Sequence, residues 1–162
     1  MCEYCGCQEI AVIDELTREH DAVVCAISDV RRALAAGSVP AAAEACRQVS
    51  ALLEPHTVVE EVGLFPCLAG EFPDHVDALR AEHRSIDAVL AEAAPGTPED
   101  PTWPARLLRT LEALREHILK EQDGVFPAAL VALDSEEWER IEGIRARVGT
   151  ALPPTLHHHG QA

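Results

Sequence analysis

The chain has 162 residues, 48% of them apolar but only 4% aromatic, and its 28 acidic against 13 basic side chains leave a formal net charge of −15. That length suits one domain with a real core, and a mixture rich in Ala, Leu and Glu favours packed helices over sheets. So acidic a surface repels phosphate backbones and anionic lipid, which argues against nucleic-acid and membrane partners.

The opening MCEYCGCQEI has neither the basic region nor the apolar run of a secretory signal. No stretch reaches the roughly 18 apolar residues of a membrane helix. The expected location is cytoplasmic, where cysteines stay mostly reduced, so an even count of six is no sign of a disulfide framework. Cys2, Cys5 and Cys7 cluster ahead of the first helix and form a short Cys-rich segment over residues 1–9. With Cys67 as a fourth thiol they make a candidate zinc site or thiol switch; the alternative is a reduced tail.

The first predicted helix carries Ile13, Leu16, His20, Val23, Ile27, Val30 and Leu34 in alternating steps of three and four, the inward seam of a bundle helix. Gly37-Ser38-Val39-Pro40 ends it, and Pro40 suits the first turn of the next. The second helix lines up Ala45, Val49, Leu52, His56, Val59 and Gly63, with Pro55 and Pro66 expected to bend or tighten it. A third runs from about Pro73 through Val76, Leu79, His83, Ile86 and Leu90. After a Pro-rich loop, the fourth carries Leu107, Leu111, Leu114, Ile118, Glu121 and Val125, with His117 beside that seam. A shorter fifth follows Asp134-Ser135, where Glu137 can close a capping box ahead of Trp138, Ile141, Ile144 and Val148. Short connections make neighbours antiparallel, so the expected fold is all-α: an up-down-up-down four-helix bundle over residues 10–133, a C-terminal helix over 134–148 and a flexible tail over 149–162.

One phrase occurs twice. His56-x3-Glu60-x2-Gly63-Leu64-Phe65-Pro66 returns 61 positions later as His117-x3-Glu121-x2-Gly124-Val125-Phe126-Pro127. A Leu-x2-Glu-His element precedes each copy, ending at His20 and at His83. His20, His56, His83 and Glu121 occupy seam positions where Leu or Ile belongs. A charge taken into a bundle core costs several kcal/mol unless it is paired or bound to metal. Within each His-x3-Glu pair the side chains stack on one helix face, so an imidazole and a carboxylate reach the same pocket. A single inward histidine is most often a satisfied core residue; a matched set in a repeat is not. Nitrogen and carboxylate donors together suit Fe, Mn or Co rather than a thiolate zinc site.

This pattern resembles the hemerythrin-like, or HHE cation-binding, domain family. The resemblance rests on His20, His56-x3-Glu60, His83, His117-x3-Glu121 and the two Phe-Pro endings. It implies a non-haem di-iron centre in which His20 and His56 hold one iron and His83 and His117 the other. Glu60 and Glu121 would bridge the irons, with an oxo or hydroxo group completing the bridge. Oxygen-carrying members have a further His four residues after the third-helix His; here that position is Asp87, which stands as a seventh ligand, an acceptor orienting His83, or an exposed helix residue. The implied function is binding of dioxygen, nitric oxide or peroxide in a sensing or protective role, by a monomer or homodimer. A peroxide- or NO-consuming enzyme and an iron-storage or buffering protein are the alternatives. Val23, Val24, Val59, Ile86 and Ile118 are candidate aliphatic walls.

Outside that set, Cys25 and Cys46 read as small core or groove residues. Glu61 reads as solvated, with an alternative role as a ligand beside Glu60, His75 reads as surface, and Trp103 and Trp138 as helix anchors. His157-His158-His159 is a run able to capture divalent metal.

Overall fold

A computed structural model describes residues 7–153. Its elements are α1 (Cys7–Ala35), α2 (Val39–Val58), a π-helical segment Val59–Leu64, α3 (Phe65–Leu68), α4 (Pro73–Leu90), α5 (Trp103–Lys120), a second π-helical segment Glu121–Val125, α6 (Phe126–Ala132) and α7 (Ser135–Val148). The described residues contain no strand, and no helix among them is long and apolar enough to cross a membrane. The fold is a helical bundle. Within it α1 packs on α2, α4 on α5, and α7 on both α1 and the first π segment.

Local signals account for the helix ends. The Ser38 side chain accepts from the Ala41 amide to start α2. At α7, Asp134 accepts from the Glu137 amide while Glu137 accepts from the Asp134 amide, the reciprocal capping box expected from the sequence. Arg106 ties down the loop between α4 and α5, forking to both oxygens of Glu92 at 2.6 and 2.8 Å and reaching Asp100 at 2.9 Å.

Two apolar clusters make the core. One holds Val23, Ile27, Val30, Cys46, Val49, Leu53, Ile86, Leu90, Trp103, Leu107, Leu111, Leu114 and Ile118. The other holds Val12, Leu16, Val59, Leu64, Phe65, Val76, Leu79, Phe126, Trp138 and Ile141. Along α1 the chain passes from Leu16 in one cluster to Val23 in the other, with His20 between. Likewise His56 separates Leu53 from Val59, and His83 separates Leu79 from Ile86. The polar groups thus form a layer between two dry halves.

The sequence seams are correct in outline and rotated in detail. On α2, Val49 and His56 are buried as expected, but Cys46 and Leu53 are buried too, whereas Ala45 and Leu52 are only half-buried. Steps of three and four both satisfy a 3.6-residue period, so pattern alone left the face uncertain by one position. Val12 is more deeply buried than Ile13. Cys25, expected in core or groove, is exposed. Val148 is exposed as well, and Arg145 takes an inward position on α7.

Pro66 and Pro127 do not tighten their helices. Each follows a π-helical segment, in which the Phe65 amide donates to the Glu60 carbonyl and the Phe126 amide to that of Glu121. A proline ring clashes with the carbonyl four residues back, and a wider turn relieves that clash. The Phe-Pro endings thereby set a π turn at each of the two repeated glutamates.

Candidate metal centre

Each half of the repeat contributes in the same way. His20 comes from α1, His56 from the end of α2, His83 from α4 and His117 from α5, while Glu60 and Glu121 come from the two π segments. All six are buried, Glu60 and Glu121 completely. Ligand-capable atoms of His20, His56, Glu60 and Glu121 all lie within 4.8 Å of one another, as do those of Glu60, His83, His117 and Glu121. The two groups share both carboxylates. Glu60 Oε1 is 2.8 Å from His56 Nε2 and 3.7 Å from His83 Nε2. Glu121 Oε1 is 3.2 Å from both His20 Nε2 and His117 Nε2.

The tautomers show what this layer is built to hold. Three imidazoles are anchored on their far side by carboxylates: His56 Nδ1 by Glu19 at 3.0 Å, His117 Nδ1 by Glu82 at 2.6 Å, and His83 Nδ1 by Glu61 at 3.2 Å. An ionised carboxylate only accepts, so each Nδ1 carries the hydrogen. In a neutral ring Nε2 is then a lone pair, aimed at the oxygens of Glu60 or Glu121. His56 Nε2, His117 Nε2, both Glu60 oxygens and Glu121 Oε2 are buried with no hydrogen-bond partner. Buried lone pairs facing one another need a cation between them, either a proton on Nε2 or a metal ion. The donor set, imidazole nitrogen plus carboxylate oxygen, fits a pair of borderline metal ions.

Titration points the same way. Burial disfavours a charge on His56, but the Glu60 and Glu19 carboxylates outweigh it and raise its pKa to about 9. Burial resists ionisation of Glu60, yet the surrounding imidazoles, His56 first, hold its pKa well below the usual value. His20 is pushed down to about 4 by burial and by the neighbouring His56, and His117 is also lowered, first by burial. A proton on His56 therefore does part of a metal ion's work.

Several contacts escaped the sequence. Glu19 and Glu82 are the glutamates of the repeated Leu-x2-Glu-His element, and their recurrence was the available signal for them. Glu61, read as solvated, accepts from His83 Nδ1; its counterpart in the second half is Gln122, and the buried Nδ1 of His20 has no partner. The repeated phenylalanines are stacking surfaces. Phe126 lies 5.4 Å from His20 with planes 10° apart, and Phe65 lies 5.6 Å from His83 with planes 20° apart.

The cavity at the centre measures about 10 Å³ and is lined by Leu53, Thr57, Ile86, Asp87, Leu114 and Ile118 besides the six ligand candidates. Of the expected walls only Ile86 and Ile118 line it. Asp87 borders it from α4 but is an exposed helix residue outside both four-residue groups, and the acceptor at His83 Nδ1 is Glu61. Cys67 is half-buried, its thiol donating to the Gly63 carbonyl at 3.4 Å and accepting from Arg140. Cys2, Cys5 and the side chain of Cys7 lie outside the described residues, as does His157-His158-His159. His75 is exposed, and Trp103 and Trp138 are completely buried.

A family model, the hemerythrin HHE cation binding domain, matches residues 11–129. The chain belongs to the hemerythrin HHE cation-binding family. Comparison with curated proteins and with solved structures finds no match. The family's cation binding agrees with the buried His and Glu groups of this chain.

A pH effect follows for the metal-free protein. The pKa of His56 is raised from 6.5 to about 9 on folding, so its stabilising contribution is fully present below about pH 6.5 and is lost as pH rises through about 9. A cation that takes the Nε2 lone pair must displace that proton. Cation uptake should therefore release protons at pH 7 and strengthen up to about pH 9. Melting temperature against pH, with and without cation, checks both: the metal-free curve should fall over this window and the loaded curve should not.

Proposed function

We propose that this protein holds two iron ions, one at His20 and His56 and one at His83 and His117, bridged by Glu60 and Glu121. With them it binds dioxygen, nitric oxide or peroxide in a sensing or protective role. The observation that carries this reading is the sharing of both carboxylates between the two four-residue groups. Bound iron would supply redox chemistry and a coordination position for the ligand. The chain's own residues do the rest. Glu19, Glu61 and Glu82 set the tautomers, Phe65 and Phe126 hold two rings in plane, and Leu53, Ile86, Leu114 and Ile118 keep bulk water out. The space of about 10 Å³ between the six ligand candidates is where the ions themselves would sit, so only a small ligand fits beside them.

On this reading the four long helices run up-down-up-down around the ions, supported by the way each crosses from one apolar cluster to the other. Asp87 is a candidate further ligand that would have to swing inward. The Cys2, Cys5, Cys7 and Cys67 group stands as a separate candidate zinc site or thiol switch. The cytoplasm is the proposed location and a monomer or homodimer the proposed assembly.

Metal analysis of protein lacking the three-histidine tail tests the centre. About two irons per chain and a visible spectrum that changes on adding azide are expected. Less than one iron per chain, or a spectrum blind to azide, overturns the reading. Sustained consumption of hydrogen peroxide would instead identify an enzyme, and ready loss of iron to a mild chelator an iron buffer. Glu82→Gln should weaken metal binding by about 10–100-fold while keeping the helical content, because the partner of a ligating imidazole fixes its orientation and basicity. Metal titration followed by circular dichroism checks it.

A further inference from the structure

Arg145 is the odd residue of α7. It is a cation only 7% exposed, on a helix that begins after the last residue matched by the family model, 129. Burying a guanidinium is costly unless fixed partners receive it. Its partners are specific. One Nη ion-pairs with Glu19 Oε1, the other donates to the Gly149 carbonyl at 3.0 Å, and Nε lies 3.2 Å from Glu15 Oε1. Thr150, just beyond the helix, donates its hydroxyl to Glu19 Oε2 at 2.7 Å. Both oxygens of Glu19 are thus occupied from the C-terminal segment, and Oε1 still accepts from His56 Nδ1 at 3.0 Å.

The other half of the repeat lacks this arrangement. Glu82 makes the same contact with His117, but its cation is Lys120, whose side chain is 60% exposed. The glycines tell the same story. A Cβ on Gly63 would meet Ile141 of α7 at 3.4 Å, whereas one on Gly124 would meet nothing within 4 Å. A helix covers one flank of the pseudo-repeat and not the other.

We propose that α7 is a working part of the metal centre: Arg145 and Thr150 clamp Glu19 against His56 and so secure the ion at His20 and His56, leaving the ion at His83 and His117 unaffected. This rests on the dimetal reading above. Arg145 and Thr150 touch no ion, so they are positioning residues. They act by holding the carboxylate that fixes the tautomer and ring plane of His56. Losing such a partner typically costs a ligating imidazole about 10–100-fold in metal affinity.

The test titrates metal-free protein with cobalt(II) in two backgrounds, each retaining one ion's histidines. In His83→Ala, where the His20–His56 pair remains, adding Arg145→Met should weaken cobalt binding by about 10–100-fold. In His20→Ala, where the His83–His117 pair remains, it should change affinity by less than about twofold, while Glu82→Gln should give the large loss there instead. Thr150→Val removes one hydrogen bond without disturbing a buried charge; it should give a smaller loss confined to the first background, and it decides the matter if Arg145→Met fails to fold. Equal losses in both backgrounds, as a general loosening of the bundle would give, or losses in neither, overturn the proposal. Failure of the dimetal reading looks different: wild-type protein then takes up no ion at the His20–His56 pair, and both proposals fall together.

Discussion

Replacing Glu60 with alanine should remove both metal ions and, with them, most of the stabilisation that metal gives. Glu60 Oε1 faces an imidazole from each pair, so on the proposed dimetal reading each ion would lose a ligand and the two would lose half of their bridge. A cation that binds only the folded state stabilises it by about 4 kcal/mol when present at a thousand times its dissociation constant. For a chain of this size that corresponds to a melting temperature higher by roughly 8–16 °C. Wild-type protein should show this increase on adding iron(II) without oxygen, and Glu60→Ala should not. Without metal the loss should be smaller and confined to pH values below about 9, because there Glu60 supports only the proton on His56, against the cost of its own burial. If the variant keeps full iron content, the assignment of the bridge fails; if both metal states lose stability alike, Glu60 is merely structural.

Trp103→Ala should give the reverse result, a large loss of stability with metal content intact. Trp103 is completely buried in the apolar cluster that contains Leu107 and Leu111. Its indole Nε1 donates to the Val89 carbonyl at 3.2 Å, tying the start of α5 to the end of α4. Truncating a buried tryptophan costs about 3–5 kcal/mol, or a melting temperature lower by roughly 6–20 °C. None of the six ligand candidates touches this ring through a hydrogen bond, so the folded variant should bind its full complement of iron. Thermal melts with metal analysis of the folded fraction check this. A variant that folds normally but loses iron would mean that the two apolar clusters do not act as independent supports for the polar layer.

These two residues also mark how much was readable in advance. Glu60 could be found because its phrase is repeated, and repetition makes accidental burial of so many polar groups untenable. The helices and their order were readable because apolar periodicity is a local property. The capping box at Asp134 and Glu137 was readable because it spans one turn. Trp103 could be recognised as an anchor, but not what it anchors. Two positions of the α2 seam, Ala45 and Leu52, were misread by one residue for a similar reason: a 3.6-residue period tolerates either Leu52 or Leu53, and the neighbouring helices settle on Leu53.

By itself, then, the chain determined its helices, its duplicated ligand candidates and its family resemblance, since each depends on residues close together or on a spacing that recurs. Tertiary structure alone decided which carboxylate backs which imidazole. Glu19 meets His56 across 37 positions and Glu82 meets His117 across 35, while Arg145 reaches Glu19 across 126. Nothing in a helical period specifies such partners. They follow from how the helices are rotated against one another, which packing of the two apolar clusters sets. The same packing turns an inward arginine, unremarkable in the sequence, into the clamp that distinguishes one half of the centre from the other.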